Sequence, residues 1–147
     1  MSALTSRWTT LIPHPKQQEL WNSKHRFCVV PAGRRSGKTE LAKRKITKSA
    51  LSFYTHADGN FVLGAPTRDQ AKRIYWNDLK ALIPHRFVKG KPSESDLTVT
   101  LINGATIYVV GMDKPQRIEG IPIDGIILDE YGNMHPDVWL KNVRPAL

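Results

Sequence analysis

The sequence predicts an α/β fold with a mainly parallel sheet, flanking helices and one antiparallel hairpin. Three observations carry this. Short apolar runs of strand length alternate with stretches of helical spacing. The runs end abruptly, at Pro31, Pro66 and the acidic pair Asp129-Glu130. Asn103-Gly104, a strong short-range hairpin signal, separates two further runs.

The elements follow in order. Residues Lys16–Lys24 suit a short helix after the breakers Pro13 and Pro15. Arg26–Val30 is an apolar run stopped by Pro31 and is predicted to be a buried strand, with Cys28 inside it. A loop rich in Gly, Ser and Arg leads into a helix from Lys38 to about Phe53. Phe61–Ala65 is a second buried strand. Over Arg68–Leu82 the residues Ala71, Ile74, Tyr75, Leu79 and Leu82 share one helical face. Pro84–Ser95 is a polar, basic loop. Leu97–Ile102 and Ala105–Gly111 form the hairpin, Gly125–Asp129 a last buried strand, and Pro136–Val143 a short helix. Strands alternating with helices imply right-handed crossovers within one sheet.

Composition narrows the function. A chain of 147 residues, 40% hydrophobic and 24% charged, fits one domain with a real core. No apolar run approaches a membrane span, and the first residues lack the apolar stretch of a signal peptide. A single cysteine excludes an intrachain disulfide, and the five histidines show no zinc spacing. The 22 Lys and Arg against 13 Asp and Glu give +9, which favours polyanions such as DNA, RNA or nucleotide.

The run Ala32-Gly33-Arg34-Arg35-Ser36-Gly37-Lys38-Thr39 matches a relaxed Walker A phosphate loop, with Ala for Gly in first place. Consecutive backbone N–H groups must curl around phosphate oxygens there, which disfavours bulky residues. The helix that begins at Lys38 points its positive end at the same phosphates. Lys38 would reach the β- and γ-phosphates of ATP, and Thr39 would ligate Mg. The second motif is Ile126-Ile127-Leu128-Asp129-Glu130, an apolar strand ending in two carboxylates. At the C-terminal edge of a parallel sheet both face the ligand crevice. Asp129 would hold Mg through water, and Glu130 would orient and deprotonate the attacking water.

Other residues have two readings each. Gln17 could donate to and accept from an adenine edge at once, or be an exposed glutamine at a helix start. Arg34 or Arg35 could stabilise charge on the γ-phosphate, with Arg34 preferred, or pair with a carboxylate or DNA. Arg117 could act on a neighbouring subunit's nucleotide or be a surface arginine. Lys43, Arg44, Lys45 and Lys48 read as a solvated helix face or a DNA contact, as do Arg86, Lys89 and Lys91. Trp8, Trp21, Trp76 and Trp139 are too scattered for a base-stacking platform and suit core or interface positions.

Taken together, PHPKQQEL, AGRRSGKTELA, GAPTRDQAKRIYWNDL, NGATIYVVG, RIEG and IILDEYGNMHPDVWLKNVRPAL resemble the ATPase segment of the terminase large subunit of tailed phages. The resemblance runs from about residue 12 to the end. It implies a RecA-like P-loop NTPase that uses ATP and Mg to move double-stranded DNA into a procapsid. It further implies a ring of subunits, docked at the portal protein in the host cytoplasm, with a small terminase subunit as partner. By resemblance Gln17 matches an adenine-recognising glutamine, Lys38 and Thr39 the Walker A pair, and Asp129 and Glu130 the Walker B pair. Arg34 falls where the family has a loop arginine. The family continues with a coupling motif and a nuclease domain. The expectation for residues 1–147 is therefore one ATPase domain, without its last strands and without the nuclease. Two alternatives remain: another RecA-like nucleic-acid ATPase of helicase type, or a segment that binds ATP without efficient turnover.

Overall fold

The computed structural model describes residues 12–52 and 58–147. Trp8, His56 and the expected helix end at Phe53 lie outside the described residues. Four strands form one sheet in the order β2-β3-β1-β4. They are β1 (Asn60–Ala65), β2 (Thr98–Thr100), β3 (Thr106–Gly111) and β4 (Gly125–Leu128). β1 pairs in parallel with both β3 and β4, and β2 pairs antiparallel with β3. The sheet is thus mainly parallel with one antiparallel hairpin, as predicted. Gly104, at φ +88°, sits in the hairpin turn, a region open to glycine. Asn103 closes that turn by accepting from the Ala105 N–H and donating its amide to the Ala50 carbonyl.

Helix α1 (Pro15–Asn22) and helix α2 (Lys38–Leu51) precede β1. After β1 come α3 (Arg68–Ala71), a π-helical turn (Lys72–Trp76) and α4 (Asn77–Leu82). Residues 68–82 therefore form one continuous helical stretch with a widened turn in its middle. Its buried residues include Ala71, Tyr75, Leu79 and Leu82, four of the five on the predicted face. One face of the sheet, with Phe61, Leu63, Ile107 and Val109, packs on α2 and residues 68–82. The other face, with Val62, Val110 and Met112, packs on Ile118, Val138 and Val143. The predicted helix over Pro136–Val143 forms as a π-helical turn, Val138–Val143. The basic loop after Pro84 is held to the hairpin by bridges from Val88 to Leu101 and from Ser93 to Thr98.

The strand predicted over Arg26–Val30 is not formed. These residues lie outside the sheet, with Val29 92% exposed, Phe27 49% and Val30 44%. Cys28 is exposed as well, contrary to its expected burial. A strand needs a neighbouring ladder for its N–H and C=O groups, and apolar content alone does not supply one. Among the described residues this segment does not pair with β4 either, and β4 has β1 as its ladder partner. Among the described residues no helix is long and apolar enough to cross a membrane.

Candidate nucleotide site

The Ala32–Thr39 loop leaves Pro31 and enters α2 at Lys38. Arg35 at φ 59° and Gly37 at φ 78° both take the left-handed backbone. Left-handed residues among ordinary ones turn successive N–H groups toward one point, the geometry of an anion nest. Ala32, Gly33, Arg34 and Arg35 are exposed. A Cβ at Gly33 would meet nothing within 4 Å, so the loop is open where the first residues of the motif lie. Lys38 and Thr39 begin α2 and are half-buried.

Acidic residues reach the loop from the far end of the chain. β4 ends at Leu128, and Asp129 follows, buried. Thr39 Oγ1 donates to Asp129 Oδ2 at 2.7 Å, across 90 residues of sequence. The Glu130 N–H donates to Asp129 Oδ1 at 2.9 Å. Both oxygens of Asp129 are thereby engaged, and its carboxylate has one fixed orientation. Glu130 itself is exposed, at φ 54°, and its Oε2 lies 3.4 Å from the Asn133 amide. A left-handed glutamate costs about 1–2 kcal/mol. Such strain is retained mainly where the fold over-determines it.

Gln17 is buried, not exposed. Its Nε2 donates to the Gly37 carbonyl at 3.0 Å, and its Oε1 accepts from the His14 N–H at 3.1 Å. The His14 ring spans the same junction. Its Nδ1 accepts from the Gln17 N–H, and its Nε2 lies 3.1 Å from the Ser36 carbonyl, which assigns the proton to Nε2. His14 and Gln17 form a reciprocal cap of α1 and at the same time clamp the loop at Ser36 and Gly37. Lys45 fixes α1 from the other side, donating to the carbonyls of Leu20 and Trp21. Sequence reading missed His14; its signal was the three-residue spacing to Gln17 ahead of a helix with Pro at its start.

Remaining candidates separate clearly. Among the described residues Arg34 and Arg35 make no side-chain hydrogen bond or ion pair, with a carboxylate or otherwise. Arg117 lines a cleft at the end of β3 with Arg68, Gly111, Asp113 and Lys114, none of them a loop residue. Within the Lys43–Lys48 cluster only Lys48 is exposed, while Lys43 and Arg44 are buried. Lys43 is 2% exposed and donates to Glu40 at 2.6 Å and Asp78 at 2.5 Å, and Arg44 is bonded to Glu40 at 2.8 Å. Lys48 stands over the Trp21 ring. Burial pushes the Glu40 carboxyl up, but hydrogen bonds and charge from Lys43 and Arg44 more than offset this and leave it below its ordinary value.

The fold agrees with that of known proteins. The chain matches, over residues 30–145, the family described as terminase large subunit, T4-like virus type, N-terminal. Its fold is similar to that of the large terminase ATPase domain of Thermus phage P74-26, at 21% identity and a TM-score of 0.75. That match covers 94% of this chain and 61% of that one. The large terminase of another thermophilic bacteriophage, solved in complex with ATP-γ-S, is similar at 21% identity and a TM-score of 0.65. Here 90% of this chain and 34% of the other are covered. The chain thus spans less than two thirds of the length of these solved structures. No curated protein matches it. On the family match, which takes in both the Ala32–Thr39 loop and the Asp129 strand, the chain belongs to the terminase large subunit family, N-terminal part, of the T4-like virus type.

Proposed function

We propose that this site binds and hydrolyses ATP with Mg and serves a motor that moves double-stranded DNA into a viral procapsid. The observation that carries the reading is the 2.7 Å contact of Thr39 Oγ1 with Asp129 Oδ2, which joins the two motifs at one point. The complexes of the second phage relative with ATP-γ-S and ADP support nucleotide as the ligand.

Mg suits the residues present. It prefers hard oxygen donors and takes few of them from protein, leaving the rest to phosphate and water. A hydroxyl and a carboxylate converging at the loop are such a set. When bound, the ion neutralises developing charge on the phosphates. Lys38 contributes a second positive charge there, and the loop N–H groups supply preorganised donors. Glu130 follows Asp129 with its carboxylate exposed, free to orient a water and take its proton. Arg34, unpaired among the described residues, is available to the γ-phosphate. Gln17 keeps one amide hydrogen and one carbonyl lone pair for an adenine edge beyond its loop contacts. Ring assembly, portal docking, the small subunit and the host cytoplasm belong to this same reading through the family match.

Calorimetric titration of ATP with Mg into the parent and Lys38→Ala tests it. Loss of a charge-assisted phosphate contact should weaken binding by about 1.5–3 kcal/mol, or roughly 10- to 100-fold. Equal affinity in both proteins would remove Lys38 from the phosphate site.

A further inference from the structure

Residues 68–82 pack on the sheet and on α2, the helix that carries Thr39. Adjacent residues on an α-helix diverge, so one of two neighbours ordinarily turns outward. The π-helical turn Lys72–Trp76 widens the helix, and both Tyr75 and Trp76 are buried on it, at 0% and 1% exposure. Such turns recur at functional sites. Trp76 is satisfied, its Nε1 donating to Glu94 Oε2 at 2.6 Å. The Tyr75 hydroxyl is buried without a completed hydrogen bond among the described residues. Buried hydroxyls of that kind are few and call for an explanation.

The acceptor within its reach is the Asp129 carboxylate. A phenol is protonated at neutral pH and so donates, and burial beside the Asp129 and Glu130 carboxylates disfavours its anion further. The frame is fixed on both sides. Asp78, three residues on, is bonded to buried Lys43 of α2, and α2 also carries Thr39. Oδ1 and Oδ2 of Asp129 already accept from Glu130 N–H and Thr39 Oγ1, and each retains a lone pair.

We infer that Tyr75 is a positioning residue of the nucleotide site, its hydroxyl donating to Asp129 and holding that carboxylate turned toward Thr39. The inference rests on Asp129 being the metal-facing carboxylate. Groups that orient a metal ligand from behind commonly control metal affinity without touching the ion.

The test is a Mg titration of fluorescent-ATP affinity in the parent, Tyr75→Phe and Asp129→Asn, with thermal melts of each. Tyr75→Phe keeps the ring and its packing, so its melting temperature and its Mg-free nucleotide affinity should match the parent. Its half-saturating Mg concentration should rise roughly tenfold or more. Asp129→Asn should lose the Mg dependence. If Tyr75→Phe titrates Mg like the parent while Asp129→Asn does not, Tyr75 is only a core residue and the inference is overturned. If Asp129→Asn also titrates like the parent, the site reading fails first, and the inference with it. Should Tyr75→Phe not fold, 3-fluorotyrosine placed at position 75 reports instead. Its ¹⁹F resonance should shift on Asp129→Asn, and an unmoved resonance overturns the inference.

Discussion

Gln17 donates its side-chain amide to the Gly37 carbonyl at 3.0 Å and occupies the space above the Gly37 Cα, where a Cβ would stand 2.4 Å from Nε2. The glutamine of α1 and the last glycine of the Ala32–Thr39 loop therefore define one another. Gly37 also needs its left-handed backbone, at φ 78°. Gly37→Ala should add two separable costs. Backbone strain is about 1–2 kcal/mol, and the overlap with Gln17 comes on top. In a Gln17→Ala background only the strain remains. Denaturant unfolding of the four proteins of this cycle should give a smaller cost for Gly37→Ala when Gln17 is absent. Additive costs would show that Gln17 moves aside freely and clamps nothing.

Glu130 offers a cleaner separation of binding from chemistry. Its side chain is exposed, and its backbone N–H, not its carboxylate, supports Asp129. Glu130→Gln leaves that backbone bond and the Thr39–Asp129 contact in place. Nucleotide affinity should stay within about twofold of the parent, while hydrolysis falls by roughly 100-fold or more through loss of the base. Parent-like turnover in Glu130→Gln would assign the base elsewhere.

These outcomes bear on what the sequence could reveal. The convergence of the Ala32–Thr39 loop with the acidic strand end was legible because each motif is written in consecutive residues, and Thr39 meets Asp129 as the alternating pattern implied. The Asn103-Gly104 turn was legible for the same local reason. Arg26–Val30 misled because pairing depends on a neighbouring strand, which the run itself does not encode. Lys43 misled in the other direction. A lysine on a basic helix is ordinarily solvated, and only Asp78, brought over by α4, reveals it as buried and paired. Tyr75 looked like plain core, because its hydroxyl's neighbour is 54 positions away in the chain.

The Lys43 network predicts a pH dependence of stability. Glu40 has a folded-state pKa below its ordinary 4.5. A lowered carboxylate contributes stability that is fully present above the unfolded value and is lost as pH falls through the folded one. Part of the protein's stability should therefore disappear as pH drops below about 4.5. Glu40→Gln should flatten that part of the curve. Asp78→Ala, which leaves buried Lys43 one partner short, should cost about 3 kcal/mol at neutral pH. Urea unfolding at a series of pH values measures both, and an unchanged acid limb in Glu40→Gln would show that other carboxylates govern it.

DNA binding is the remaining consequence of the +9 charge. Contacts to duplex DNA without sequence preference go to phosphate, so affinity should fall steeply as salt rises. The helix cluster is now a poor candidate, since Lys43 and Arg44 are buried in ion pairs and Lys45 is bonded to α1. Arg86, Lys89 and Lys91 are different. All three are exposed, and they lie on a segment held to the hairpin by the Lys89 N–H to Thr100 carbonyl bond at 2.8 Å. A basic segment on a fixed backbone loses less entropy on meeting a phosphate backbone than a free loop does. Replacing all three with alanine should weaken binding to random duplexes. If each contacts one phosphate, the log–log salt slope should fall by about 3. Anisotropy titrations across a salt series measure both quantities in one experiment. An unchanged slope would exclude this segment and leave the cleft of Arg68, Lys114 and Arg117 as the next basic surface to vary. No binding by the parent even at low salt would mean that the net charge of this domain does not grip DNA by itself.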